Sequence, residues 1–391
     1  MATKLIDETV DRIGNEPISA RMARKAPVRH MDPSLVVTTL LLCAYGAVMI
    51  YSATQSKQSA AGLDPGGYLK RQVAYAVIAF GVLVVTSVFD YRYLRAFAPF
   101  IYVAAVVGLV LVLTPLGVTT QGATRWFALG SFRAQPSEIA KLGVIVALAA
   151  YLAERKGEVR ARDIAVVVTA VIVPMVLIYL EPDLGTMMVF GALTGALLLV
   201  GGAKIRHFLA LGLMGVGAVV LVLQLGLLQD YQLERLTAFL DPTPDVQSEG
   251  YNAFQAKVAI ATGGMEGRGL GGSNTQTALD FIPEQHTDFI FTAIGEQLGF
   301  IGSAALLGLF ALLIWRALRI AAMSRDIFGS LLAGGIAALW IFQIFINIGM
   351  TMGIMPITGI PLPFISYGGS SLIVNFACVG VLHNIHMRRF L

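Results

Sequence analysis

Ten apolar runs, each about as long as a bilayer is thick, constrain this chain more than any other feature. They fall at roughly 34–53, 72–89, 96–114, 136–153, 164–181, 184–202, 206–228, 288–315, 327–350 and 367–387. About 17–25 apolar residues cross the hydrocarbon layer as a helix. In hydrocarbon every backbone N–H and C=O must be paired within the protein, and a helix achieves this in one segment. The expected fold is therefore all-α: an integral membrane protein of about ten transmembrane helices. Composition agrees. Hydrophobic residues are 56% of the chain and charged ones 13%, whereas a soluble domain carries about 25% charged. That excludes soluble enzymes, disordered chains, collagen-like repeats and disulfide frameworks. Cys43 and Cys378 both sit in apolar runs, so each reads as a small core residue.

Charge sets the orientation. With the N-terminus inside, the inner segments hold 19 of the 28 Lys and Arg residues and the outer segments eight. This bias satisfies the positive-inside rule with both termini cytoplasmic. The net charge of +4 then reports orientation and implies no nucleic acid. Residues 1–33 form a polar tail too long for a signal peptide ahead of so long an apolar run. Residues 34–388 form one polytopic domain, with outer segments at 54–71 and 115–135 and a long extracytoplasmic loop of about 229–287 between spans seven and eight. Long loops are often functional. Gly263-Gly264, Gly267, Gly269 and Gly271-Gly272 break this one into turns, and Pro242 and Pro244 punctuate its start. Tyr251–Thr262 reads as a short amphipathic helix suited to the membrane interface.

Ionisable groups at membrane depth are costly, so each is a candidate for function or for a packing ion pair. Glu138 and Lys141, three apart after Pro136, share a helical face and can pair; Lys141 could also face an anion. Arg125-Trp126 and Arg71 stand at the outer interface. They are anchors or ligands for phosphate, which guanidinium binds in bidentate fashion. Glu181-Pro182-Asp183 reads as a cap in a tight reversal or broken helix near the inner side. Pro283 through Asp288 precedes the eighth run, with Thr287 or Asp288 as its cap. Alternatively, Asp288 is a general base at a cavity mouth, with Glu284 and His286 nearby. Pro361 through Ser371 must be irregular, which at this depth requires burial in protein or a cavity. Ser366, Ser370 and Ser371 can satisfy its backbone, and no Ser-His-Asp arrangement accompanies them.

These motifs together resemble the SEDS family (shape, elongation, division and sporulation) over almost the whole of 34–388. Its carriers are Gly122 through Trp126, Gln135-Pro136-Ser137-Glu138 with Lys141, and Glu181 through Thr186. Further on come Gly250-Tyr251-Asn252, Gln255-Ala256-Lys257, Gly267 through Gly271, Ile282 through Phe291, and Pro356 through Ser371. The strings at 250–260 and 358–364 are most similar to the elongation, RodA-like, branch. The tail is longer than that branch leads one to expect.

The resemblance implies a peptidoglycan glycosyltransferase. It would polymerise lipid II through β-1,4 bonds and release undecaprenyl pyrophosphate in the bacterial inner membrane. A class B penicillin-binding protein would supply transpeptidation. It also implies that Asp288 is the essential acid and that Arg71, Arg125, Glu138 and Lys141 are polar cavity residues, with Lys257 and Ser366 added. A divalent metal, Mg or Mn, could share the charge of the leaving group, although no ligand spacing specifies one. Two other readings compete. A lipid II flippase suits ten spans and a broken helix but predicts polar groups linked right through the membrane. A non-catalytic scaffold predicts that these polar residues are dispensable.

Overall fold

The computed structural model describes residues 31–120, 123–130, 132–226, 232–233, 239, 249–272, 275–277 and 285–389. The tail before 31, Pro242, Pro244 and Glu284 lie outside them. Ten long apolar helices appear, as the runs predict. They are α1 (Pro33–Ala60), α2 (Gly67–Val88), α4 (Ala98–Val112), α5 (Pro136–Ala153), α6 (Ala161–Leu180), α7 (Leu184–Val200), α8 (Ile205–Gln224), α10 (Ile290–Ala322), α11 (Ile327–Met352) and α12 (Gly369–Arg388). Eight are long and apolar enough to span a membrane by themselves, and α4 and α7 are shorter apolar helices. A short helix, α3 (Tyr91–Ala96), joins α2 to α4, and α9 (Glu249–Gly263) lies in the long loop. The protein is an integral membrane protein.

Helices α5, α11 and α12 form the packed centre. Trp340 lies there, donating to Asn375 Oδ1 at 2.7 Å, with its ring 5.6 Å from that of Phe364. At the periphery α8 buries only His207. Apart from Phe208 and Leu211, which pack partly on the core, most of its side chains are exposed, which suits lipid.

Four expectations need correction. First, residues 115–135 are not a bare loop. They form an antiparallel sheet in the order β1 (Val118–Thr120), β2 (Ala123–Leu129), β3 (Phe132–Ala134). The β-branched and aromatic residues Val118, Thr119, Thr124, Trp126 and Phe127 are the strand signal that was there to read. Second, neither Thr287 nor Asp288 caps α10. Its N-cap is Phe289, with no side-chain bond, because residues 285–289 continue as turns. Third, α9 is docked on protein rather than lying free at the interface. Ala256 and Ala259 are buried with Phe289 and Ile357, and Gly263 packs on the Gly295 carbonyl. Fourth, Glu181-Pro182-Asp183 is a tight reversal at the end of the bundle that holds Arg125, not at the opposite one. Asp183 caps α7 there, accepting from Thr186 N at 3.0 Å.

The loop between α11 and α12 is held by close backbone approach. A Cβ on Gly46 in α1 would come within 2.7 Å of Ile365 Cα and O. Next to it, buried Phe364 has φ +67°, a conformation that non-glycine residues adopt only under constraint. Phe376 at 5.9 Å and Trp340 pin its ring. Gly46→Ala is expected to lower stability by about 1–3 kcal/mol, the usual cost of overpacking. The measurement is thermal unfolding in detergent, where an unchanged midpoint would count against this lock.

Candidate functional site

The Pro361–Ser371 loop and the turns around Asp288 form one stitched unit. The Ser366 hydroxyl donates to Thr287 O at 2.6 Å and accepts from Leu362 N at 2.8 Å. Tyr367 N donates to His286 O at 3.0 Å. From α11, the Asn347 amide donates to Asp288 O at 2.8 Å and to Ile360 O at 2.7 Å. From α2, Gln72 reaches Ser366 O at 3.5 Å. Irregular backbone among membrane helices is tolerated when its polar groups are paired in this way. Ser366 is thereby a positioning residue, with its hydroxyl used on the backbone. Asp288 itself is partly exposed, on a backbone that these bonds fix.

An aromatic wall flanks Asp288. The His286 ring lies 4.7 Å from Tyr68 and 5.6 Å from Tyr367, and Tyr68 is 5.0 Å from Tyr367. Tyr75 bridges from Tyr367 (6.2 Å) to Phe132 of the sheet (5.6 Å). Arg71, exposed at the start of α2, stands beside the Tyr367 hydroxyl. The sheet is tied to the same place, since Ser370 accepts from Gln135 N at 3.0 Å and donates to Arg133 O at 2.8 Å. Arg71, Asp288 and Ser366 are thus brought together.

The remaining expected residues take three other positions. Arg125, on β2, donates to Glu181 O at 2.8 Å and to Pro182 O. Glu138 and Lys141 form a buried ion pair of 2.6 Å within α5, beside Cys378 of α12. The packing pair foreseen from their spacing is present, and its burial makes either charge costly to leave alone. Lys257 of α9 sets its amine against Gly353, the left-handed C-cap of α11, where the helix dipole favours a cation.

Three features escaped the reading of the sequence. Asn347 is one, a polar residue inside an apolar run. Glu296 is the second and is wholly buried. It accepts from Gln276 N (2.5 Å), Thr277 N (2.9 Å) and Thr277 Oγ1 (2.5 Å), so that α10 holds the distal part of the long loop. Beside it, Arg268 N and Gly269 N donate to the carbonyls of Glu296 and Gln297 at the Gly299 bend. The rule applied to other intramembrane charges would have found Glu296. The third is the state of Glu181, past the end of α6. Neither of its carboxyl oxygens has a hydrogen-bond partner. Burial and the nearby Asp183 push its pKa up to about 8, against Arg125.

Among the described residues, no three His, Cys, Asp or Glu side chains gather about a common point. The described residues therefore do not compose a divalent-metal site by themselves.

Two predictions follow from this geometry. Ser366→Ala removes the acceptor of Leu362 N and a donor to Thr287 O, at about 1–3 kcal/mol for an unsatisfied buried group. Amide exchange at Leu362 and Tyr367 should accelerate, and unaltered protection there would refute the stitching. For Glu181, the folded state holds its proton more tightly than the unfolded chain does. Wild-type stability should then fall as pH rises from 4.5 to about 8. Glu181→Gln should remove that loss, a gain growing by up to about 1.4 kcal/mol per pH unit across this window. Parallel pH–stability curves for the two proteins would contradict it.

A profile for cell cycle proteins of the FtsW, RodA and SpoVE type matches residues 33–390. The peptidoglycan glycosyltransferase MrdB of Escherichia coli K12 is 37% identical over 361 residues, covering 92% of this chain and 94% of its own. Stage V sporulation protein E of Bacillus subtilis is 38% identical over 358 residues, covering 90% and 96%. Among solved structures, a chain of a peptidoglycan synthase complex that coordinates polymerization and crosslinking superposes with a TM-score of 0.77. It is 33% identical and covers 92% of this chain and 98% of that one. The rod shape determining protein RodA of Thermus thermophilus gives 0.68 at 29% identity, covering 92% and 98%.

Proposed function

This chain belongs to the FtsW, RodA and SpoVE family, and we propose that it is the glycosyltransferase that polymerises lipid II for cell elongation. The stitched Asp288 turn carries the reading. It offers a partly exposed carboxyl-bearing side chain on a fixed backbone, with a cation, Arg71, on the neighbouring helix end.

The chemistry is a single displacement with inversion. The acceptor's 4-hydroxyl attacks the anomeric carbon of the donor, whose bond to the pyrophosphate breaks as the new β-1,4 bond forms. Asp288 takes the hydroxyl proton, and the electron pair of the broken bond leaves on undecaprenyl pyrophosphate. General-base help of this kind is typically worth 10²–10⁴-fold. Arg71 stands where it can meet phosphate, and a preorganised cation there would stabilise the developing charge. The Tyr68, His286 and Tyr367 rings form a face against which a sugar can pack.

Arg125 has a different task in this reading. It holds the Glu181-Pro182 reversal, whose neighbour Gly185 packs on Thr358 and Ile360, and Ile360 shares Asn347 with Asp288. Arg125 and Asp288 are joined through that chain of contacts. Glu138 and Lys141 secure α5 against α12. Lys257 steadies α9 against the C-cap of α11.

The site end faces outward and both termini lie in the cytoplasm, following the basic residues at the other end. The partner is a class B penicillin-binding protein in the same membrane. Purified protein incubated with lipid II and this partner should make glycan polymer. Asp288→Asn should lose at least ~10²-fold and Arg71→Gln about 10²–10³-fold. Equal polymer from Asp288→Asn and wild type would remove Asp288 from the mechanism. No polymer from a folded wild type with an active partner would favour a transporter.

A further inference from the structure

At the basic end of the bundle, far from Asp288, a cleft of about 620 Å³ opens among α3, α4, α5 and α6. Its size is that of a small-ligand site. The walls are apolar, with Pro99, Ala147, Val166 and Val167 among them. Two tyrosines also line it, and both hydroxyls are engaged elsewhere. Tyr102 donates to Ala170 O at 2.8 Å, and Tyr151 meets Asp163 at 3.0 Å. The cleft therefore shows their rings and asks for an apolar occupant.

Its rim is cationic. Arg92 and Arg95 stand three apart on α3 and both line the opening. Both are exposed. Arg92 makes a long ion pair with Asp326, at 4.0 Å, and its guanidinium lies 6.0 Å over the Tyr91 ring. Arg95 has no ion-pair partner among the described residues. Glu154 is the one acid on the rim; the adjacent Arg155 is spent on Asp163 at 2.8 Å. Meanwhile α3 is fixed from behind. Tyr91 N donates to Asn384 Oδ1 at 3.0 Å, its hydroxyl bonds Asp326, and its ring stacks 6.1 Å from Phe328. The two guanidiniums are thus carried on an anchored element rather than on a loose loop.

An apolar slot with two exposed arginines at its mouth, one of them without an ion-pair partner among the described residues, matches one class of molecule. We propose that this cleft binds an anionic phospholipid, its acyl chain in the slot and its phosphate on Arg92 and Arg95. Basic pockets between transmembrane helices are a recurrent way to hold such headgroups. The site is separate from the one around Asp288 and does not depend on the reaction assigned there.

The test is native mass spectrometry of the full chain titrated with phosphatidylglycerol or phosphatidylcholine. Wild type should retain one phosphatidylglycerol at roughly tenfold lower lipid concentration than phosphatidylcholine, as two cations near an anionic headgroup imply. Arg92→Gln with Arg95→Gln should abolish that preference. Ala147→Phe, which fills the slot and leaves both arginines, should also release the lipid. Val166→Phe on the facing wall replaces it if that variant does not fold. Equal retention of the two lipids by wild type, or an unchanged preference in the double variant, would overturn the proposal. So would full retention by the slot-filled variant, which would mean only surface attraction. Displacement by inorganic phosphate at matched concentration would point to a free-anion site and also overturn it.

Discussion

The structure depends on how a stretch of non-helical backbone is kept among membrane helices. α11 ends at the left-handed Gly353, two prolines keep Pro361–Ser366 from forming a helix of its own, and its amides and carbonyls cannot turn to water as a surface loop's would. Ser366 and Asn347 resolve this with four hydrogen bonds, two each. Those same bonds reach Thr287, Asp288 and Ile360, so satisfying the backbone also fixes the reactive turn. Placing Asp288 is a by-product of making the loop tolerable in a membrane protein.

Other parts of the chain lock onto this unit. Gly46 lets α1 approach the Ile365 backbone. The small sheet joins through Ser370, and the Arg125 reversal through Gly185 and Ile360. The long loop is held more remotely by Glu296 and by the glycine turns seated on the Gly299 bend. A carboxylate buried in a helix normally destabilises it, but three donors from residues 276–277 compensate Glu296. Buried charge here joins the loop to the bundle.

The helices were legible because hydropathy and bilayer thickness decide them without tertiary information. Glu138 and Lys141 were legible for the same reason, since a charge in an apolar run needs a partner and three-residue spacing supplies it. The cap of α10 was misread because Thr287 and Asp288 are good N-cap residues in isolation. Ser366 and Tyr367 compete for the backbone before them, and the competitor lies about eighty positions away. The sheet was missed because three short strands between two spans resemble a polar connector. Asn347 gave no local sign of its role, since its two acceptors come from segments that meet only in the folded bundle. The docking of α9 was not legible because alanines that look neutral in sequence face Phe289 and Ile357 in space.

The central claim is that a lipid-linked sugar reacts beside Asp288, and a structure of the protein bound to a lipid II analogue with its acceptor sugar tests it most directly. The account predicts an Asp288 carboxylate oxygen about 2.6–3.2 Å from the acceptor 4-hydroxyl, with the pyrophosphate on the Arg71 side. An acceptor hydroxyl beyond the reach of Asp288 even through one water, or a sugar bound at the opposite end of the bundle, would contradict it.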